Sequence, residues 1–283
     1  MALEIIVNDV GHGHSIHAFT PNGDCVVIDL GCSANFSPLE LLRKKTNTID
    51  SLIISHPHGD HIDEIKLLSD CGFNVRQLWR PSWLTEEEVR SANQKTYAEK
   101  LDAYFDLSNR FIRSVAESQL VGNPSVSGGV EIKKFASRDC GRSGINNHSG
   151  VVVFSYLGVK VVIPGDNEPP SWRSLLKNPE FVAATKGADV FLASHHGRAS
   201  GYLSDLFAKD KLTPRLCLIS DGRVQETDAT SRYSAHARGW EVGSRSGDDR
   251  VERNCLTTRS DGAVHIKIGK NPNGKVYLSV TKD

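Results

Sequence analysis

Residues 51–61 read SLIISHPHGDH, a short apolar run followed at once by three histidines and one aspartate. The apolar half has the length and composition of a buried β-strand, and the residues after it lie where a strand ends. Neutral imidazole nitrogens and carboxylate oxygens are the ligands that Zn²⁺ and related divalent ions prefer. The segment therefore predicts four metal ligands that face one cavity: His56, His58, Asp60 and His61.

Three further segments carry metal-binding side chains beside predicted strands. Asp166 and the pair His195-His196 each follow an apolar strand, and His148 comes just before one. These strand ends meet in one cleft if the strand after His148 runs antiparallel to the others. Two ions need about seven ligands between them, because each takes four or five partners including water. The sequence therefore predicts a dinuclear metal centre.

The order of the predicted elements indicates the fold class. The first third alternates short strands and tight turns, and Asn22-Gly23 between apolar runs is typical of a hairpin. Later strands have helices between them, which predicts an α/β protein, an αββα four-layer sandwich of two mixed β-sheets flanked by helices. We expect a single hydrolase-like domain over residues 1–283. A helical insert at about 84–118 opens at the capping-box pattern of Thr85 and Glu88.

Composition bounds the partners and the compartment. The 283 residues carry 34 Lys plus Arg and 34 Asp plus Glu, so the formal net charge is zero. The overall charge therefore gives no support for a nucleic-acid binder or a membrane-surface protein. No apolar run approaches the roughly 18 residues that cross a bilayer, and the start lacks a signal-peptide pattern. The six cysteines form no C-x-x-C pair, which favours a reducing compartment. We expect a cytoplasmic protein with no membrane partner.

The order of the His and Asp motifs resembles the metallo-β-lactamase hydrolase superfamily over nearly the whole chain. Five shorter motifs resemble the soluble hydrolase domain of ComEC-type DNA-uptake proteins: Asp9-Val10-Gly11-x-Gly13, Pro21-Asn22-Gly23, Ile28-Asp29-x-Gly31, Ser55-His56-Pro57-His58 and Ser194-His195-His196-Gly197. Arg232-Tyr233-x-x-His236 resembles a Tyr/His element of that domain, with Ala237 in place of the usual proline. His14 stands where that group commonly has aspartate.

The resemblance implies a ligand set for each ion. The first ion would be held by His56, His58 and His148. The second would be held by Asp60, His61 and His196, and Asp166 would bridge the two. Of the adjacent pair we favour His196 as the ligand, which leaves His195 to support the ligands or donate a proton. Asp29 would orient the hexapeptide at residues 56–61, HPHGDH.

The resemblance also implies catalytic and substrate-binding residues. The catalytic residues would be Asp60, His195 and His236. The substrate-binding residues would be Arg198 and Tyr233. Two other histidines, His12 and His14, lie in a Gly-flanked loop, and they either form a further metal pair on the hairpin or border the cleft.

The expected chemistry is hydrolysis. Two ions about 4 Å apart, Zn²⁺ or Mn²⁺, would share a water and lower its pKa, which gives a metal-bridging hydroxide at neutral pH. The ComEC-like motifs favour a phosphodiesterase or nuclease, and Arg198 is well placed for a phosphate. The zero net charge favours a single strand or a small nucleotide as substrate, because duplex binding depends on many phosphate contacts.

Two alternatives stay open. The same metal site would serve an ester, lactone or thioester hydrolase, and an apolar pocket would favour that substrate class. A metal-binding subunit of a multi-protein complex is the alternative of another class, with the insert at 84–118 docking a protein partner; the complete ligand set argues against this as the sole role. The resemblance itself argues against redox members, which have Glu at His58, and against true β-lactamases, which generally lack the bridging Asp166.

Overall fold

The computed structural model describes residues 1–141, 144–222, 228–247 and 249–283. The strands are β1 (Leu3–Val7), β2 (Ile16–Phe19), β3 (Cys25–Ile28), β4 (Thr48–Ile49), β5 (Ser51–Ile53), β6 (Asn74–Val75), β7 (Leu78–Trp79), β8 (Glu131–Phe135), β9 (Val151–Tyr156), β10 (Val159–Ile163), β11 (Val190–Leu192), β12 (Leu216–Ile219), β13 (Trp240–Ser244), β14 (Arg250–Arg253), β15 (Cys255–Thr257), β16 (Val264–Lys270) and β17 (Val276–Lys282). The α-helices are α1 (Pro38–Arg43), α2 (Ile65–Asp70), α3 (Glu86–Ser91), α4 (Ala98–Arg110), α5 (Pro169–Leu175), α6 (Pro179–Thr185), α7 (Thr230–His236) and α8 (Thr258–Asp261).

Two large sheets carry most of these strands. The first has the order β14-β13-β17-β16-β1-β2-β3-β5-β7, the second has the order β15-β12-β11-β10-β9-β8, and β4 pairs with β6 apart from both. Both sheets are mixed: β3, β5 and β7 run parallel in the first, and β10, β11, β12 and β15 run parallel in the second. β9 runs antiparallel to β10, which is the arrangement that His148 requires.

The strand pattern explains the layers. Successive side chains of a strand point to opposite faces, and in β9 Val152 and Phe154 pack into a core between the two sheets. Val151 and Val153 point the other way and pack against Trp172 of α5. β3 does the same in the first sheet, with its outer face against α1 to α4. Each fully buried apolar side chain contributes about 1.5–3 kcal/mol. The αββα four-layer sandwich is confirmed.

The insert expected at 84–118 is helical over only part of its length. α3 begins at the capping box, where Thr85 Oγ1 accepts a hydrogen bond from the backbone N–H of Glu88 at 3.2 Å. α4 ends at Arg110, and the residues up to 116 are not helical, contrary to the sequence-based expectation. The reason is that this part buries little: Ile112 is 82% exposed.

The predicted single domain stays a prediction, which the core between the two sheets supports. In the ranges that the structure describes, no helix has both the length and the apolar character needed to span a bilayer.

Candidate metal centre

The hexapeptide loop follows β5 and is held in place by the insert. Residues Gly59–His61 form a single 3₁₀ turn. Asn93, just after α3, accepts a hydrogen bond from the backbone N–H of Gly59 at 3.0 Å and donates to the carbonyl of Pro57 at 2.9 Å. The two helices of the insert therefore fix the loop that carries the candidate ligands.

Asp29 lies under this loop and is completely buried. Its carboxylate accepts hydrogen bonds from the backbone N–H and the hydroxyl of Ser55, both at 2.6 Å. Nδ1 of His61 lies at 2.8 Å and Nδ1 of His14 at 2.9 Å from the same carboxylate. Burial alone would raise the pKa of Asp29, but His61 and His14 hold it well below its usual value. Donation from Nδ1 sets the tautomer of His61 and turns Nε2 toward the cleft.

Asp166 is the point where the candidate ligands converge. His61 Nε2 lies 3.4 Å from one carboxylate oxygen of Asp166, and His196 Nε2 lies 3.5 Å from the other. His56 Nε2 lies 3.9 Å from the same Asp166 oxygen as His196. Gly165, with φ at 59°, lets the Asp166 backbone pass close to Ser55, since a Cβ there would lie 3.0 Å from the Ser55 side chain.

Asp60 approaches the same group from the hexapeptide side. Its Oδ2 lies 3.2 Å from His196 Nε2 and 3.9 Å from His61 Nε2. His196 Nδ1 lies 3.0 Å from the carbonyl of Ser220, so Nδ1–H donates there and Nε2 faces the carboxylates. Two carboxylates and the Nε2 atoms of two histidines therefore surround one volume.

His58 lies beside His56 at the other side of the cluster, and His148 contacts Trp83 and Ser137. His58 Nδ1 is 2.9 Å from His56 Nε2, and burial lowers the pKa of both imidazoles, which favours the neutral form that binds a metal. His148 is buried, with Nδ1 lying 3.2 Å from the carbonyl of Ser137 and 3.0 Å from the indole nitrogen of Trp83. The indole N–H of Trp83 donates to Nδ1, whereas the carbonyl of Ser137 would accept from it, so the two contacts imply different tautomers, and the ligand role of His148 stays a prediction.

The His195-His196 pair has an unusual backbone. Both residues are left-handed, with φ at 52° and 53°, as is Asp29 at 58°. Such conformations cost about 1–3 kcal/mol for residues other than glycine and concentrate at functional sites. His195 points beside the cluster, with Nε2 at 3.8 Å from Asp166 and Nδ1 at 3.3 Å from Glu168. The preference for His196 over His195 as the ligand stays a prediction.

The group fits a divalent cation. Among the residues that the structure describes, the Nε2 atoms of His61 and His196 are buried and find no hydrogen-bond partner, and buried polar atoms rarely stay unsatisfied. Burial alone would lower the pKa of His61, but Asp166 and Asp29 raise it well above its ordinary value. Asp166 likewise raises the pKa of His196 against the effect of burial. A cation beside these carboxylates would replace the two protons.

An open cavity of about 570 Å³ adjoins the cluster. It is lined by Val10, Gly11, His12, Cys32, Ser33, Arg198 and Gly222. Nε of Arg198 is buried and has no hydrogen-bond partner within the described ranges of the chain. The structure therefore places the predicted substrate-binding arginine at a cavity large enough for a small substrate.

Tyr233 and His236 lie elsewhere. Tyr233 is 1% exposed in the core between the second sheet and its helices, so its predicted contact with substrate is wrong, because α7 turns this face into the protein. His236 pairs with the hydroxyl of Tyr202 at 2.7 Å and stacks on Phe207 with ring centroids 4.2 Å apart. In the part of the chain that the structure describes, no contact joins His236 to the carboxylates, so its predicted catalytic role loses support.

Three residues at the site carried no assigned role in the sequence. Asn93 and Trp83 hold the hexapeptide loop and His148, and both contacts span long separations along the chain that no local pattern reveals. His12 was left between two readings, and its Nε2 lies 3.4 Å from Asp60 Oδ2. The Gly-flanked loop was the signal that could have pointed to it.

Comparisons with known proteins agree with this arrangement. Residues 10–70 match the family model of the metallo-beta-lactamase superfamily. No curated protein matches the chain.

Among solved structures, the metallo-beta-lactamase fold protein YhfI from Bacillus subtilis is 12% identical at a TM-score of 0.48, covering 98% of this chain and 100% of that one. A protein of the metallo-beta-lactamase superfamily from Thermotoga maritima is 14% identical at a TM-score of 0.41, and the match covers 90% of this chain and 97% of that one. CmlA, a diiron beta-hydroxylase from Streptomyces venezuelae, is 17% identical at a TM-score of 0.45, and the match covers 77% of this chain and 44% of that one. The family-model match over residues 10–70 includes the hexapeptide and its four candidate ligands.

Proposed function

We propose that this protein is a dinuclear metal-dependent hydrolase that cleaves phosphodiesters, as a phosphodiesterase or nuclease. The observation that carries the proposal is the convergence of Asp60 and Asp166 on the Nε2 atoms of His61 and His196, at 3.2–3.5 Å in the closest pairs. Two divalent ions, Zn²⁺ or Mn²⁺, would supply Lewis-acid stabilisation and a water of lowered pKa when bound.

The ligand set proposed for each ion is the one that the sequence analysis gives. The first ion would be held by His56, His58 and His148, and the second by Asp60, His61 and His196. Asp166 would lie between the two groups, and Asp29 would hold His61 in the tautomer that leaves Nε2 unprotonated. His195 would donate a proton to a leaving group; its Nδ1 lies 3.0 Å from the Ser200 hydroxyl and its Nε2 lies 3.8 Å from Asp166, which supports this role.

Arg198 supports a phosphate-containing substrate. Guanidinium groups bind phosphate through paired hydrogen bonds, and Arg198 lines the same cavity as His12, whose Nε2 lies 3.4 Å from Asp60. The cavity suits a strand terminus, a single strand or a small nucleotide better than a duplex. The proposed location is the cytoplasm, which the six unpaired cysteines support. A protein partner docked on the insert stays a prediction, with the exposed side chain of Ile112 in its favour.

The test is hydrolysis of single-stranded DNA, duplex DNA, RNA, a small phosphodiester and a neutral ester or thioester, each with Mn²⁺ or Zn²⁺. His58→Ala and Asp166→Ala should abolish cleavage. Arg198→Ala should raise KM for the small phosphodiester about 10–100-fold, the size of one lost charged hydrogen bond, and leave KM for the neutral ester unchanged.

A matched control is His265→Ala, on β16, where the imidazole pairs with Arg245 away from the cluster. Turnover of the ester alone would overturn the phosphodiesterase proposal in favour of an ester, lactone or thioester hydrolase. Two bound ions without turnover of any substrate would favour the metal-binding subunit of a complex.

A further inference from the structure

His12 lies closer to the candidate metal ligands than the sequence requires. Its Nε2 is 3.4 Å from Asp60 Oδ2, and its ring centroid is 4.8 Å from that of His196. One ligand atom from each of the three residues fits within 4.8 Å of the other two. His14, two residues further on, points away from this group and toward Asp29. The two histidines therefore do not form a metal pair with each other.

The spacing around Asp60 is that of ligands which share an ion. Neighbouring ligand atoms bound to one ion at about 2.0–2.1 Å lie about 2.9–3.4 Å from one another, from octahedral to tetrahedral coordination. The separations from Asp60 Oδ2 to Nε2 of His196 and to Nε2 of His12 are 3.2 Å and 3.4 Å. A normal hydrogen bond between an imidazole and a carboxylate is shorter, at about 2.7–2.9 Å.

We infer that His12 is a further ligand, through Nε2, of the ion held by Asp60 and His196. The inference rests on the proposed metal centre and adds a ligand from the loop between β1 and β2 to those on the other strand ends. Because the His12 side chain is 44% exposed and lines the cavity with Arg198, it is the ligand nearest the entrance. A substrate in this cavity would lie between His12 and the arginine.

The competing explanation is that His12 only hydrogen-bonds to Asp60 and orients it. The two explanations differ for His12→Gln and His12→Cys. Glutamine keeps a hydrogen-bond donor and binds metals weakly, whereas a thiolate is a strong ligand and a poor donor. The exposed position of His12 makes both variants compatible with folding, which circular dichroism would verify.

The experiment is calorimetric titration of metal-free protein with Zn²⁺ and with Co²⁺, with His265→Ala as the control. We expect two ions in the wild type and in the control. His12→Gln should weaken one of the two sites by at least about 10–100-fold, and His12→Cys should restore much of that affinity. With Co²⁺, His12→Cys should also show a thiolate-to-cobalt charge-transfer band. The wild type is the reference for this band, because Cys32 lines the same cavity in both proteins.

Wild-type affinity in His12→Gln, or no charge-transfer band in His12→Cys, would overturn the inference. These outcomes are separate from a failure of the proposed hydrolase activity. A wild type that binds two ions and cleaves no phosphodiester would overturn the activity and leave the His12 result standing. A wild type that binds no second ion would overturn the inference about His12.

Discussion

Two groups of the same composition lie side by side in this protein and have different properties. We call them the closed triad (His14, Asp29, His61) and the open triad (His12, Asp60, His196). In the closed triad all three residues are buried and the nitrogen–oxygen distances are 2.8–2.9 Å. In the open triad the distances are 3.2–3.4 Å and the His12 side chain is 44% exposed.

The difference shows how distance and burial separate support from ligation. At 2.8–2.9 Å the carboxylate of Asp29 accepts charge-assisted hydrogen bonds, which satisfy it without a metal. At 3.2–3.4 Å the atoms of the open triad leave room for a cation between them. His61 joins the two, because its Nδ1 belongs to the closed triad and its Nε2 faces Asp166. The closed triad therefore orients a ligand of the proposed centre.

The largest effect on stability is expected from Asp29→Asn. The substitution removes a fully buried charge that four donors from three residues surround, and breaking a buried pair costs about 3–5 kcal/mol of unfolding free energy. Asp60→Asn, in the open triad, should cost less than Asp29→Asn in metal-free protein, since the Asp60 side chain is 22% exposed and that of Asp29 is fully buried. Urea unfolding of both variants after metal removal would check this, and equal losses would contradict the distinction.

A smaller loss is expected where the two triads meet at Gly31. A Cβ on this residue would lie 2.7 Å from both the carbonyl of Asp60 and the backbone nitrogen of His14, so Gly31→Ala must push the two loops apart. Overpacking of this kind costs about 1–3 kcal/mol. The control is Gly247→Ala, where a Cβ meets nothing within 4 Å. If thermal unfolding shows the same stability for both variants, the contact between the loops is not tight.

His17 has an environment that differs from those of the histidines in the two triads, because burial sets its pKa. His17, on β2, is 3% exposed, and burial lowers its pKa to about 4. Because the unfolded imidazole titrates near 6.5, the folded state binds fewer protons between these values, so stability falls as pH falls through this window. We expect His17 to contribute a loss of about 2 kcal/mol between pH 7.5 and pH 5 in metal-free protein.

His17→Gln should remove that part of the pH dependence, as measured by urea unfolding at the two pH values. His265→Gln serves as the control for loss of a histidine at a more exposed site. An unchanged slope in His17→Gln would mean that His17 is protonated in the folded protein or exposed to water.

The smallest effect on stability is expected at His12. His12→Gln should change the free energy of unfolding of metal-free protein by less than about 0.5 kcal/mol, as is usual for a substitution at an exposed site. His14→Gln, two residues away, should cost about 1–3 kcal/mol, because it disrupts a buried hydrogen bond to Asp29. A larger loss at His12 than at His14 would reverse the assignment of the two triads.

The fold and the approximate ligand positions were predictable from local patterns. The apolar run of β5 before the hexapeptide, and the strands before Asp166 and His195, place polar residues at strand ends, which is a local property of the sequence. The side chains of Val151–Phe154 alternate between two cores, as the two-residue period of a strand requires. The identity of each core was visible only in the structure.

Other features depend on contacts that the sequence does not contain. The opposite directions of His12 and His14 follow from packing against Gly31 and Gly222, which are distant along the chain. Tyr233 matched a motif, yet α7 buries it, because its helical face packs on β12. The end of α4 at Arg110 reflects the absence of a surface to cover, which the helical pattern of the segment did not reveal.

The most direct measurement is anomalous X-ray diffraction from crystals soaked in Mn²⁺ or Zn²⁺. We predict two peaks beside Asp166, with one of them about 2.0–2.2 Å from His12, Asp60 and His196, and no peak beside Asp29. A peak inside the closed triad, or no peak within bonding distance of Asp60, would contradict the division of the two triads into support and ligands.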